Sequence, residues 1–395
     1  MISQRIQNLS PSATLAMSQK SAELKAAGVD VINLSVGEPD FDTPDFIKEA
    51  AKKAIDDNFS RYSPVPGYLS LRKAVCEKLE RENNLTYTPE QIVVGNGAKQ
   101  ELANTILSLI NPGDEVIIPT PAWVSYVELV KLAEGKPVLV PAHLENDFKI
   151  TPAQLEGAIT PKTKMLLLNS PCNPTGSVYS FNEISKFAEV LEKHPQVYIM
   201  ADEIYEHINY NKEVCSIAQI PSMKDRTIVI NGVSKAYAMT GWRIGYMAAP
   251  LPIAKACTKL QGQYTSGPSS IAQKAAEAAY TGPQKCVDDM RKAFERRRNL
   301  IVELAKEIEG WKVNVPQGAF YLFPDVSSFI GKKHGDYEIK SSGDYVLYIL
   351  QEAHVACVDG DAFCAPGYMR LSYATSDENI REAMRRIKEA SAKLK

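Results

Sequence analysis

The sequence predicts an α/β protein: a large domain with a mostly parallel sheet sandwiched by helices, plus a smaller α+β domain. Two observations carry this. Strand and helix signals take turns through the middle of the chain, as when parallel strands are joined by covering helices. The last third reads differently, with short strands set between longer, more charged helices. At 395 residues the chain also exceeds what one ordinary core organises. The expected boundaries are 46–285 for the large domain, with 1–45 and 286–395 forming the small one.

The sheet pattern begins near Thr43. TPDFIKEAAKKAIDD offers a threonine cap, a first-turn proline and apolar residues at helical spacing. YSPVPGYLSLRKAVCEKLERENN reads as a turn and then a helix, and QIVVGNGAKQELANTILSLI as strand, glycine turn, helix. DEVIIPTPAWVSYVELVKLA repeats that pattern, and KMLLLNSPCNPTG leads into the helix FNEISKFAEVLEKH. VYIMADEIY, TIVINGVSK and IGYMAAP are three further strands with polar ends. Beyond them, VDDMRKAFERRRNLIVELAKEI is one long helix, whose ERRR run at 295–298 reads as a solvated face. WKVNVP, GAFYLFPDV, VACVDG and YMRLSYA read as short strands, and ENIREAMRRIKEASAKL as the last helix. The segment before Thr43 is expected to pack with this C-terminal third.

Composition narrows the function. Hydrophobic residues at 45% and charged residues at 23% suit a soluble globular chain. A net charge of -2 provides no global basic field, so neither nucleic acid nor an anionic membrane is an expected partner. Any anionic ligand must be held by local cations. MISQRIQNLS lacks the apolar core and cleavage site of a secretory signal, and KMLLLN and VYIMAD are too short to span a bilayer. A cytoplasmic location is the expectation. The seven cysteines form no CxxC pair and the five histidines are scattered. Buried free thiols are therefore expected, and a metal site is not.

Four features concentrate the chemistry. In SKAYAMTGWRIGY, Lys235 follows the apolar strand TIVING. A lysine at such a strand end loses its proton more readily than one in water and can attack a carbonyl. Arg243, further along the same motif, offers a planar fork for phosphate. Taken alone, Lys235 reads equally as a surface cation. In ADEIY, Asp202 stands where a parallel strand meets the ligand crevice and suits a protonated ring nitrogen; it also suits a helix N-cap. NSPCNPTG brings Asn173 on a turn that is otherwise a plain loop. GNGAKQ is a glycine turn before a helix, a place where backbone N–H groups bind phosphate.

Together these features resemble the fold-type-I pyridoxal-phosphate enzymes, specifically the class-I aminotransferases. The resemblance covers essentially the whole chain, with SVGEPDFDTP and MRLSYATSDENI as further signatures. It is nearest the bacterial aspartate aminotransferase subgroup with a PSAT segment, here Pro11-Ser12-Ala13-Thr14. It implies pyridoxal 5′-phosphate as cofactor, with Lys235 as the Schiff-base lysine and proton-shifting base. Asp202 would pair with the ring nitrogen, and Asn173 and Tyr205 with the phenolic oxygen. Arg243, with the backbone of Ala98 and Lys99, would hold the phosphate, and Trp123 would stack on the ring. Tyr62 would reach the phosphate of a neighbouring subunit, implying a homodimer with shared sites.

For substrate, the resemblance implies that Arg370 grips an α-carboxylate while the Gly37 backbone closes over it. Without it, Arg370 in RLSYA reads equally as an exposed arginine on a strand, and Trp123 as a core aromatic. Lys99, helped by Ser12 and Thr14, would bind a distal carboxylate. LQGQYTSGP has no arginine, unlike the branch that draws a dicarboxylate-binding arginine from the partner. The expected reaction is a ping-pong transfer from aspartate to 2-oxoglutarate, with closure of the small domain excluding water. Prephenate is disfavoured as a substrate because Ser10, not a basic residue, precedes PSAT. Aromatic- or alanine-type or aspartate/prephenate transamination, a lyase on the same scaffold, and a non-catalytic cofactor-sensing regulator are the alternatives.

Overall fold

The computed structural model describes residues 2–11, 13–211 and 215–395. Seven strands make the central sheet: β1 (Ile92–Asn96), β2 (Glu115–Thr120), β3 (Lys136–Pro141), β4 (Thr163–Asn169), β5 (Tyr198–Asp202), β6 (Thr227–Gly232) and β7 (Ile244–Ala248). Their spatial order is β1-β7-β6-β5-β4-β2-β3. Strand β7 runs antiparallel to both its neighbours, and all other pairings are parallel. The mostly parallel sheet is therefore present, with one reversed strand.

Helices cover both faces, which is why these strands are near-continuous apolar runs rather than alternating ones. On one face Leu71, Val75, Leu79, Val94, Tyr246 and Ala275 share a core. On the other, Leu102, Ile106, Val130, Met200, Ile228 and Met247 do so. Full burial of each large side chain contributes roughly 1.5–3 kcal/mol, so the sheet and its covering helices stabilise one another. Strand β3 escaped the sequence reading. It carries Pro137 and Pro141, which cannot donate to a ladder, and an edge position is where a strand tolerates them.

Local signals account for much of the rest. The helix Phe181–Glu192 starts at a capping box in which Ser180 and Glu183 satisfy each other's backbone N–H. The expected threonine cap at Thr43 is not made. The helix Asp45–Asp56 starts directly after Pro44, and the Thr43 hydroxyl donates instead to the Ala238 carbonyl. Thr43 thus ties the first helix of the sheet layer to the loop that follows Lys235.

The C-terminal third holds a small antiparallel sheet of β8 (Tyr321–Leu322), β9 (Val358–Asp359) and β10 (Met369–Ser372) in the order β9-β10-β8. WKVNVP is not a strand; Lys312 makes only an isolated bridge to Asp325. The segment before Thr43 divides between two attachments. Ile32–Asn33 pairs in parallel with Val355–Ala356, and Leu34 accepts from the Ser372 N–H. Further upstream, the Ser10 N–H donates to Glu128 on the helix Val124–Leu132 of the sheet layer. Among the described residues no disulfide forms; Cys257 and Cys357 are fully buried and the other cysteines partly so. Among the described residues, no helix is long and apolar enough to cross a membrane.

The ERRR run is not a solvated face. On the helix Lys285–Ala305, Arg297 is buried and meets Asp40 with two parallel bonds of 2.7 and 2.9 Å. Its guanidinium also lies 5.1 Å from the Phe41 ring centroid. Arg298 reaches the Pro316 carbonyl, and only Arg296 of this trio is largely exposed. Removing one partner of a buried, bidentate pair strands the other charge, at a cost of about 3–5 kcal/mol. Asp40 is partly exposed, which reduces that figure. We predict that Arg297→Ala destabilises the protein by about 2–4 kcal/mol, read as a shift of the urea unfolding transition to lower concentration, whereas Arg296→Ala leaves it nearly unmoved.

Candidate active site at the carboxyl ends of the strands

Parallel strands end on the same side, so β4, β5 and β6 deliver their following residues to one crevice. A cavity of about 270 Å³ lies there. Lys235, Asp202, Tyr205, Asn173, Arg243, Ala98, Lys99, Trp123, Gly37, Arg370 and Thr14 all line it. Tyr62 does not; its side chain is 99% exposed on the surface. Ser12 lies outside the described residues.

Lys235 is a cavity residue and not a surface cation. Its Nζ donates to the Gly37 carbonyl at 2.5 Å and lies 5.6 Å from the Tyr205 ring centroid. Burial lowers its pKa to about 8, against the opposing pull of the Glu38 charge. Near that pH much of the amine is neutral and nucleophilic. Asp202 closes β5. Its Oδ1 accepts the Ile204 N–H at 3.2 Å, so a turn-capping role is real. Its Oδ2 accepts the Tyr126 hydroxyl at 2.6 Å. Burial raises its pKa to about 6, although both hydrogen bonds oppose the rise. A cation placed against this carboxylate would relieve the cost of ionising it there.

An anion cradle adjoins these two. The helix Ala98–Leu109 starts after Gly97 with no side-chain cap, leaving backbone N–H groups at its positive end. Gly97 has φ +81°, and a Cβ there would overlap the Arg243 guanidinium. A Cβ on Gly245 would overlap the Ala98 nitrogen. Both glycines are required by close approach. Arg243 is held at the cradle by the Thr240 and Asn96 carbonyls, at 2.8 and 3.2 Å. Lys99 lies with its ammonium 4.7 Å over the Trp123 ring, and burial, then the nearby Arg243 charge, lowers its pKa.

Arg370, on β10, is 1% exposed, which overturns the reading as a solvated strand arginine. Its Nη1 donates to Asn173 at 3.0 Å and its Nη2 to the Ser35 carbonyl at 2.6 Å. Among the described residues its Nε, though buried, has no partner, and neither does the buried Thr14 hydroxyl. A buried guanidinium with an unused donor suits a carboxylate. Among the lining residues that the sequence reading missed are two tyrosines, Tyr126 and Tyr321. Each sits in an apolar run, YVELV and FYLF, where an aromatic looks like core; only the hydroxyl contacts to Asp202 and Tyr205 separate them from it.

Among the described residues, Glu82, Glu206 and His207 form a group with metal-ligand spacing behind the β5 loop. The buried Lys78 ammonium bonds Glu206 within it and supplies the positive charge that a metal otherwise would.

The family described as aminotransferase class I and II matches residues 29–387. A relative from Cereibacter sphaeroides, named aspartate/prephenate aminotransferase, is 50% identical over 396 aligned residues, covering 100% of this chain and 99% of the relative. One from Pinus pinaster, named aspartate aminotransferase, is 46% identical, covering 98% of this chain and 80% of the relative. The crystal structure of the aspartate aminotransferase from Rhizobium meliloti superposes with a TM-score of 0.96 at 44% identity, covering 100% of both chains. That of the Thermus thermophilus aspartate aminotransferase with maleate has a TM-score of 0.93 at 41% identity, covering 99% of both. The resemblance read from Lys235, Asp202, Asn173 and Arg243 and the sheet that gathers them thus lead to the same place: this chain belongs to the class I and II aminotransferase family, with its fold-type-I α/β architecture.

Proposed function

We propose that this protein is a pyridoxal 5′-phosphate-dependent aspartate aminotransferase, passing the amino group of L-aspartate to 2-oxoglutarate to give oxaloacetate and L-glutamate. The observation that carries this is the convergence on one cavity of a low-pKa lysine, a buried carboxylate, an anion cradle and a buried arginine with an unused donor. That donor set fits the cofactor group by group. Lys235 suits the aldehyde, Asp202 a protonated ring nitrogen, and Arg243 with the Ala98 and Lys99 N–H groups the phosphate. Asn173 and Tyr205 suit the phenolic oxygen, and Trp123 the ring face. When bound, the cofactor supplies an electron-withdrawing ring that accepts charge from the substrate Cα.

The protein's own part is binding, orientation and proton movement. Arg370 holds the α-carboxylate, with the Gly37 backbone above it, and so fixes which Cα bond faces Lys235. Lys235 Nζ takes the proton from the substrate Cα, a task suited to an amine whose pKa lies near the working pH. Lys99, with Thr14 and Ser12, meets the distal carboxylate; the unpartnered Thr14 hydroxyl supports this. The same site serves both half-reactions, in ping-pong order. Tyr62 completes the phosphate site of a second copy in a homodimer, a role its full exposure supports.

A second reading adds prephenate as an acceptor. Relatives named aspartate/prephenate aminotransferase, 50% and 48% identical, favour it, and Ser10 weighs against it. Steady-state kinetics with prephenate tests this reading.

Purified protein supplied with pyridoxal phosphate should show a visible cofactor band that aspartate bleaches. Lys235→Ala should lose covalent attachment; a variant that keeps it overturns the assignment. Only the neutral amine attacks, so covalent capture of cofactor by cofactor-free protein should quicken with rising pH and level off above about 8. Loss of a charge-assisted bond should make Lys99→Ala about 10–100-fold poorer in kcat/KM for aspartate. The alanine rate should change little. Equal losses for both donors would remove Lys99 from the specificity site.

A further inference from the structure

Tyr321 lines the cavity and has no role in the reading so far. We propose that it is a positioning residue whose hydroxyl donates to Tyr205, leaving the Tyr205 proton free for the cofactor's phenolic oxygen. The inference rests on the pyridoxal-phosphate reading above.

The two phenol oxygens are 2.7 Å apart and both side chains are buried. Each phenol carries one proton, so only one of the two can donate across this contact. If Tyr205 donated to Tyr321, its proton would be spent and it could serve the cofactor oxygen only by accepting. If Tyr321 donates, Tyr205 accepts and still has its own proton to give.

The surroundings select the second arrangement. β8 and β10 pair with Tyr321 opposite Ser372, which makes Arg370 its diagonal neighbour on the same face. The Arg370 guanidinium lies 4.5 Å over the Tyr321 ring. A cation against the ring makes its hydroxyl the more acidic, and so the better donor. Burial raises both phenols, Tyr205 well above the ordinary value. Arg370 opposes the rise at both, but at Tyr321 it is the largest effect after burial, whereas at Tyr205 the Tyr321 charge comes ahead of it and, with Asp202, adds to the rise. Glycine at position 37 keeps the contact seated, since a Cβ there would lie 2.5 Å from the Tyr321 hydroxyl oxygen. The Gly37 carbonyl accepts from Lys235, so the same short segment borders both groups.

A phenol that accepts one hydrogen bond donates a stronger one. Tyr205, so strengthened, stabilises negative charge on the cofactor oxygen and keeps the lysine–cofactor linkage unprotonated to lower pH. The pH midpoint of the visible cofactor band reports this directly. The charges facing Lys235, from Asp202, Glu38, Arg243 and Arg370, are unchanged in Tyr321→Phe.

The test is a pH titration of that band in the holoenzyme. Tyr321→Phe should raise the midpoint by about 0.5–1 pH unit, the loss of one hydrogen bond. In a Tyr205→Phe background the same substitution should add nothing. Gly37→Ala, which keeps the phenol but drives its hydroxyl off Tyr205, should also raise the midpoint and serves if Tyr321→Phe does not fold. An unmoved midpoint, or an equal rise in both backgrounds, overturns the proposal while leaving the cofactor reading intact. Wild-type protein without any cofactor band overturns both.

Discussion

An amine and a carboxylate must be held out of bulk water at the ends of two neighbouring strands, and the rest of the site follows from that. β5 and β6 are parallel partners, so Asp202 and the loop bearing Lys235 leave the sheet side by side. Isolated, either ion would be too costly to bury there. The structure meets the cost with directed bonds from other layers. Tyr126 comes in from the helix Val124–Leu132, and the Gly37 carbonyl from the segment before the sheet. Among the described residues neither ion has a dedicated salt-bridge partner, and both pKa values stay near the range in which protons move.

The proposed substrate side is built on a different sheet, yet it is wired to the same spot. Arg370 on β10 bonds Asn173, which follows β4, and the Ser35 carbonyl near the N-terminus. Three distant stretches of chain thus meet at one guanidinium. Thr43 adds a fourth link through the Ala238 carbonyl, just past Lys235. The segment around residues 35–43 therefore touches the arginine, the lysine and its loop, and Arg297 through Asp40.

Much of this was legible in the sequence, because the residues that carry it are punctuated by sharp local signals. Strand runs ending in polar residues announced β1, β2 and β4 to β7, and the motifs around Lys235, Asp202, Asn173 and Gly97 stood at their ends. What was not legible depends on partners far away in the chain. Strand β3 holds prolines that argue against a strand until its edge position is known. Arg297 in ERRR looks solvated until Asp40, far upstream, comes to meet it. Tyr126 and Tyr321 look like packing residues until their hydroxyls are seen to point at Asp202 and Tyr205. Arg370 was singled out only through the family resemblance, since its own neighbourhood describes an ordinary strand.

The glycines at the cradle have a consequence for how such a protein diversifies. A Cβ on Gly245 meets Ala98, one on Gly97 meets Arg243, and one on Gly232 meets Gly245 itself. At Gly245 and Gly232 backbone stacks on backbone, and at Gly97 the backbone is seated on the Arg243 guanidinium itself. Lys99 and Thr14, by contrast, stand at helix starts on the rim, where a side chain can be exchanged without moving the main chain. On the proposed reading, the phosphate grip is thus closed to gradual change, while the choice of amino acid stays open to it. New substrate preferences can arise on this scaffold one rim residue at a time, with the chemistry beneath them inherited unaltered.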